Sequence, residues 1–207
     1  MSRGLPVKAL FLDVGGVLLT NGWDHVMRGR AADVFRLDYD QLDERHGLTF
    51  DIYETGKISL DTYLDQVVFH EPRSFSKEQF RQFMFEQSQA HPDMIALARS
   101  IGERYGLKVG VISNEGRELA MHRTHRFALD GFVQVFVYSS FVQFRKPDED
   151  IYRVALDISQ TPAEQAVYIE DRAMFADVAS GLGMRAIHHT SYEATRLALE
   201  QVGLRYP

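Results

Sequence analysis

Apolar runs in this chain give way to polar side chains at several points. The side chains found there are carboxylates, a hydroxyl, an amide and an ammonium: Asp13, Ser113, Asn114, Lys146, Glu170 and Asp171. Carboxylate oxygens are hard ligands of the kind Mg²⁺ prefers, and an ammonium or a hydroxyl binds anionic oxygen. If these groups meet, they predict a site for a divalent cation and an anionic substrate.

The first of these points is the most informative. Residues 8–12 are almost all apolar, as in a strand buried on both faces, and Asp13 follows them directly. Gly15 and Gly16 come next, where the backbone must turn tightly or approach a ligand closely. We therefore predict a strand followed by a functional loop.

The elements that would position these groups alternate along the chain. Further strands are predicted at 108–112, 132–138, 166–169 and 185–187, and helices at 93–105, 148–156 and 175–182. Strands separated by helices predict an α/β fold with a doubly wound parallel sheet. In such a sheet ligands lie at the carboxyl ends of the strands, so the polar groups are expected to converge there.

Two prolines are expected at helix starts. Pro147 is predicted at the first position of the helix over 148–156. Thr161 and Pro162, with Glu164 after them, form a second pattern typical of a helix start.

Residues 21–91 have a different character, with apolar residues at helical spacing and no buried strand. Ser76 and Gln79 form a capping-box pattern. We predict a helical cap at 21–91, inserted into a core domain made of 1–20 and 92–207. The cap core is expected to consist of aromatic residues: Phe50, Tyr53, Phe69, Phe75, Phe80, Phe83 and Phe85.

Composition narrows the function classes. The formal net charge of −6 argues against a sequence-independent nucleic-acid binder, which would present a basic face. The chain has no cysteine and no apolar segment of membrane length, so we expect a cytoplasmic protein that does not bind membranes. A monomer or a homodimer is expected.

The motifs resemble those of the haloacid dehalogenase superfamily. The resemblance rests on four stretches in order, at 13–17, 113–114, 146–147 and 170–171, with a helical insertion after the first. Within that superfamily the chain is most similar to small sugar-phosphate phosphatases with a helical cap, including those of the glucose-1-phosphatase kind. The stretches at 54–59 and 181–184 also resemble that group.

The resemblance implies a role for each motif residue. Asp13 would be the nucleophile that forms an aspartyl phosphate, and Ser113 and the backbone amide of Asn114 would bind phosphate oxygens. Lys146 would neutralise charge on Asp13 and on the transferring group. The ligands of a Mg²⁺ cofactor would be Asp13, Asp171, the main-chain carbonyl of Gly15 and, directly or through a water, Glu170. The implied substrate is a small phosphorylated metabolite.

One position departs from the family pattern. Most phosphatases of the superfamily carry an aspartate where this chain has Gly15, and that aspartate is the general acid and base. Such a group contributes roughly 10²–10⁴-fold to the rate. We therefore expect slow cleavage of unactivated esters, unless another residue, such as His25 or His46 of the cap, delivers the proton.

Five further residues are candidates for substrate binding: Gly16, Trp23, His25, Arg45 and Arg172. Trp23 and His25 follow the first motif where the chain enters the cap, and Arg172 follows the acidic pair. The alternative for each is an ordinary structural or solvated position.

Three functions remain open at this point. The first is a Mg²⁺-dependent phosphatase, which the acidic pair Glu170–Asp171 favours. The second is a metal-independent dehalogenase-like hydrolase, although such enzymes usually have a bulky residue at the Gly15 position. The third is a binding protein without turnover, which only the missing acid at Gly15 favours.

Overall fold

The computed structural model describes residues 5–206. Five strands form one parallel sheet in the order β3-β2-β1-β4-β5. The strands are β1 (Ala9–Leu12), β2 (Lys108–Ser113), β3 (Val135–Tyr138), β4 (Ala166–Glu170) and β5 (Arg185–His188). The predicted α/β class with a parallel sheet is confirmed.

Helices cover both faces of this sheet. The ten α-helices of the described residues are α1 (His25–Phe35), α2 (Tyr39–Glu54), α3 (Leu60–Val67), α4 (Lys77–Glu86), α5 (Pro92–Tyr105), α6 (Arg117–Arg126), α7 (Ser139–Val142), α8 (Glu149–Ser159), α9 (Ala173–Gly181) and α10 (Tyr192–Gln201). Single 3₁₀ turns lie at Leu129–Gly131 and Ala163–Gln165.

Strand β1 shows why the central strands are largely apolar. Successive side chains of a strand point to opposite faces. Leu10 and Leu12 join the core formed with α5 and α10, whereas Ala9 and Phe11 join the core formed with α8 and α9. Both faces of the strand are buried, so neither set of side chains is polar.

Helices α1 to α4 form the helical insertion and have a hydrophobic core of their own. Tyr53 and Phe80 are buried in it together with Tyr63, which was not predicted, and the other five predicted aromatic residues pack against it. The predicted aromatic core of the cap is therefore confirmed. The capping box of Ser76 and Gln79 is also present.

Two predicted helix starts are wrong. Pro147 lies outside α8, because Asp148 is the N-cap and its side chain accepts from the Asp150 backbone N–H. The pattern at Thr161–Glu164 gives only the single turn Ala163–Gln165. The apolar residues from Ala166 onward pair immediately with β1 as strand β4, which leaves no room for a longer helix.

Among residues 5–206, no helix is both long enough and apolar enough to cross a bilayer.

Candidate active site

The predicted polar residues meet at the carboxyl edge of the sheet. The chain leaves β1 toward β2 on one side and leaves β4 toward β5 on the other, so a crevice opens between the ends of β1 and β4. Leu12 pairs with Val111 of β2 and with Ile169 of β4. This register places Asp13 level with the ends of both neighbouring strands.

Lys146 is the buried cation of this edge. Its Nζ lies 3.1 Å from Asp13 Oδ2 and 2.6 Å from Glu170 Oε2, and only 1% of the residue is exposed. Nζ also donates to the Tyr168 hydroxyl at 3.1 Å, and that hydroxyl lies 2.5 Å from Glu170 Oε2. The ammonium is thereby fixed between two carboxylates.

The charges of this cluster oppose the effects of burial. Burial raises the pKa of Asp13, and the Lys146 ammonium works against that rise by favouring the carboxylate. Burial by itself lowers the pKa of Lys146, but the charges of Asp13 and Glu170 outweigh it, so the pKa of Lys146 is raised. Lys146 is therefore charged at neutral pH and favours the ionised form of Asp13.

Asn114 positions the lysine through its backbone. The Asn114 side chain donates from Nδ2 to the Lys146 carbonyl at 2.9 Å and accepts from the Lys146 N–H at 2.8 Å. This reciprocal pair connects the loop after β2 to the segment before α8. Ser113 is buried in the same edge.

Three carboxylates form a possible cation site. Oxygen atoms of Asp13, Glu170 and Asp171 all lie within 4.8 Å of one another. The Oε2 atom of Glu170 faces Lys146 and Tyr168, and its Oε1 accepts from the Arg172 backbone N–H. Within residues 5–206 the Asp171 carboxylate has neither a hydrogen bond nor an ion pair.

The donor set fits a hard divalent cation. Asp13 and Asp171 offer carboxylate oxygens, and Gly15 lines the adjoining cavity beside Asp13. Glu170 is better placed to hold Lys146, because both of its oxygens already face donors.

Gly16 has a different place from the one predicted. It does not line the cavities described below but lies against the Asp171 carboxylate, so closely that any side chain at residue 16 would overlap it. Its φ of +76° also suits glycine. The small size of Gly16 therefore admits the Asp171 carboxylate to the site.

Two adjoining cavities lead away from Asp13. The smaller, of about 100 Å³, contains Asp13, Ser113 and Lys146 in its wall. The larger, of about 350 Å³, lies between the helical insertion and the sheet edge. Both share six lining residues: Asn21, Phe50, Glu54, Asn114, Arg145 and Arg172.

Three of the predicted substrate-binding residues line these cavities. Trp23 and His25 line the larger cavity and Arg172 lines both. Arg45 lies outside both cavities, and its guanidinium donates to the Gln66 carbonyl at 2.9 Å. Arg45 joins α2 to the end of α3.

A buried polar chain forms part of the larger cavity wall. The Trp23 indole N–H donates to the Tyr63 hydroxyl at 2.9 Å, and that hydroxyl lies 2.8 Å from His46 Nδ1. Burial, assisted by the nearby Arg28 guanidinium, lowers the pKa of His46 to about 3. The His46 ring is thus neutral, and its Nδ1 shares one hydrogen bond with the Tyr63 hydroxyl.

Glu54 and Arg145 line both cavities, although neither was predicted as a site residue. Arg145 Nη2 lies 2.6 Å from Glu54 Oε2, and Arg145 also pairs with Asp51. These contacts join residues about ninety positions apart, so no local pattern could reveal them. The only available signal was the stretch at 54–59, which resembled a family motif but had no residue roles attached to it.

Fold and site together indicate a hydrolytic enzyme of the doubly wound α/β type. A model of the haloacid dehalogenase-like hydrolases matches residues 7–183. The chain belongs to this family. No curated protein matches it significantly.

Solved structures show the same fold at low sequence identity. A HAD family enzyme from Bacteroides thetaiotaomicron, in complex with magnesium and inorganic phosphate, aligns with a TM-score of 0.73 and 17% identity over 88% of this chain and 93% of its own. A HAD phosphatase from Thermococcus onnurineus aligns with a TM-score of 0.66 and 17% identity, over 96% of this chain and 99% of its own. An L-2-haloacid dehalogenase aligns with a TM-score of 0.62 and 14% identity, over 88% of this chain and 84% of its own.

Proposed function

We propose that this hydrolase is a Mg²⁺-dependent phosphatase of small phosphorylated metabolites. The observation that carries the proposal is the cluster of Asp13, Glu170 and Asp171. The first two of these pair with buried Lys146, and Asp13 and Lys146 line a cavity of about 100 Å³. A phosphate group suits this cavity, since Lys146 and Ser113 supply a cation and a hydroxyl donor beside Asp13.

Each residue has a defined task in the proposed reaction. Asp13 attacks phosphorus and the bond to the leaving oxygen breaks, which gives an aspartyl phosphate. Water then attacks the phosphorus and the bond to Asp13 breaks, which releases inorganic phosphate. Lys146 balances the negative charge throughout, while Glu170 and Asn114 hold it in place.

A Mg²⁺ ion held by Asp13, Asp171 and the Gly15 carbonyl would add positive charge next to the phosphate oxygens. The magnesium and phosphate complex of the Bacteroides enzyme, which has the same fold, supports this assignment. The larger cavity would receive the rest of the substrate, with Trp23, His25 and Arg172 in its wall.

A metal-independent dehalogenase is the second candidate, supported by the fold of the L-2-haloacid dehalogenase. The two functions differ in the metal requirement and in the product. We expect purified protein to release phosphate from p-nitrophenyl phosphate with Mg²⁺ and to stop when EDTA is added. Halide release from a 2-haloacid in EDTA would instead support the dehalogenase, and absence of both reactions would refute turnover of either kind.

A further inference from the structure

We propose that Glu54 of the helical insertion is the general acid and base of the phosphatase reaction. This inference rests on the proposed function and adds a catalytic residue to it. The starting point is Gly15, which provides no side chain to protonate a leaving group. The proton must come from another group that reaches the phosphate cavity.

Glu54 is the candidate because of its place in the walls of the two cavities. Apart from Asp13, Glu54 is the only carboxyl group lining the smaller cavity within the described residues. It also lines the larger cavity, so Glu54 lies at the junction of the two cavities, where the phosphate group of the proposed substrate would meet the leaving group. His25 and His46 line only the larger cavity, and the low pKa of His46 makes it a poor proton donor at neutral pH.

The backbone of Glu54 is fixed to the sheet edge. Its carbonyl accepts from Ser139 Oγ at 2.7 Å. Two residues later, Gly56 has φ of +69° and lies so close to the Ser140 carbonyl that no side chain would fit between them. The end of α2 is thereby held against α7, the short helix that precedes Lys146 in the chain, and Glu54 is positioned for catalysis rather than left on a mobile surface.

The surroundings of Glu54 suit proton transfer near neutral pH. Only 6% of the residue is exposed, and burial raises its pKa to about 7 although the Arg145 guanidinium opposes that rise. Arg172 also favours the carboxylate and Glu115 disfavours it. Asp51, on the same helix, shares Arg145 with Glu54. A group with such a pKa exists in both forms at working pH, as an acid and base must.

Glu54 gives up one proton and regains one in each catalytic cycle. In the first step the protonated carboxyl gives its proton to the leaving oxygen as the bond to phosphorus breaks and Asp13 becomes phosphorylated. In the second step the Glu54 carboxylate takes a proton from water while the water oxygen attacks phosphorus. The bond to Asp13 breaks, phosphate leaves, and Glu54 is protonated again.

Glu54→Gln tests the proposal, because it keeps the shape of the side chain and removes the transferable proton. The measured quantity is kcat/KM with Mg²⁺ for an alkyl phosphate and for p-nitrophenyl phosphate. We expect a fall of roughly 10²-fold or more for the alkyl ester and a much smaller fall for the aryl ester, which needs little protonation. If Glu54 had only a structural role, Glu54→Gln would lower kcat/KM equally for the two substrates.

The pH profile gives a second readout that does not depend on the variant. The ratio of the alkyl to the aryl kcat/KM removes effects common to both substrates, such as ionisation of Asp13. In the unmodified protein this ratio should fall as pH rises through about 7, the pKa of Glu54, because the acid form is lost. In Glu54→Gln the ratio should be low and independent of pH.

Asp51→Asn is the matched control. It removes the other carboxylate that pairs with Arg145, but Asp51 lines neither cavity. The alkyl-to-aryl ratio should therefore stay unchanged in this variant. An unchanged ratio in Glu54→Gln, or the same loss in Asp51→Asn, would overturn the assignment of Glu54. Absence of Mg²⁺-dependent phosphate release from the unmodified protein would instead refute the proposed function itself.

Discussion

Replacement of Lys146 by alanine is expected to weaken both folding and catalysis. The ammonium is almost fully buried and lies 3.1 and 2.6 Å from carboxylate oxygens of Asp13 and Glu170. Removal of one partner from a buried ion pair costs about 3–5 kcal/mol, because the remaining charge is left without compensation. We expect the free energy of unfolding of Lys146→Ala at pH 7.5 to fall by about this amount in the absence of Mg²⁺.

The loss should depend on pH in a defined direction. Burial already raises the pKa of Asp13, and loss of the Lys146 charge will raise it further. The Asp13 carboxyl group has a lower pKa in the unfolded chain than in the folded variant. Between these two pKa values, the folded variant therefore binds a proton that the unfolded chain does not. Its stability deficit relative to the unmodified protein should therefore shrink as pH falls from about 7.5 to about 5.

Urea unfolding at the two pH values, monitored by circular dichroism, measures this effect. Lys8→Ala is the matched control, because Lys8 is an exposed lysine directly before β1, the strand that leads to Asp13. This control should change the free energy of unfolding by no more than about 0.5 kcal/mol. Loss of less than about 1 kcal/mol in Lys146→Ala at pH 7.5 would refute the electrostatic role given to Lys146. Phosphate release should also fall by roughly 10²-fold or more, since a positioned charge is lost.

Two further predictions concern the glycines after Asp13. Gly16→Ala should displace the Asp171 carboxylate and raise the Mg²⁺ concentration for half-maximal activity by roughly 10–100-fold, measured by metal titration; an unchanged titration curve would contradict the place given to Asp171. In the second prediction, Gly15→Asp should restore cleavage of alkyl phosphates to Glu54→Gln. It is combined with Asn21→Ala, because the new Cβ would lie 2.8 Å from Asn21 Oδ1. Gly15→Ala with the same Asn21→Ala change is the control and should restore nothing.

The sequence predicted the parts of this protein that local patterns determine. Strands β1, β2 and β4 are largely apolar runs, and Asp13, Ser113 and Glu170 follow or end those runs. Their common edge could therefore be inferred from the fold class alone. The helix after Lys146 was placed too early. A proline in a helix-like sequence marks a start only approximately, and Asp148 supplied the cap instead.

Contacts between the helical insertion and the sheet edge could not be predicted in this way. Glu54 reaches the site because α2 ends against Ser139, eighty-five residues later in the chain. Arg45 lies nine residues earlier on the same helix and faces α3 instead. Which side of a largely polar helix faces the cavity depends on this packing, and the sequence of α2 alone did not determine it.

We expect Asp13 to become phosphorylated during turnover. Protein quenched in acid during hydrolysis of p-nitrophenyl phosphate with Mg²⁺, then treated with borohydride, should contain homoserine at position 13, as found by mass spectrometry of the peptide. Asp13→Asn, which keeps the shape of the side chain, should show neither this product nor phosphate release. Phosphate release at an undiminished rate by Asp13→Asn, or a reduced aspartyl phosphate at another residue, would contradict the account.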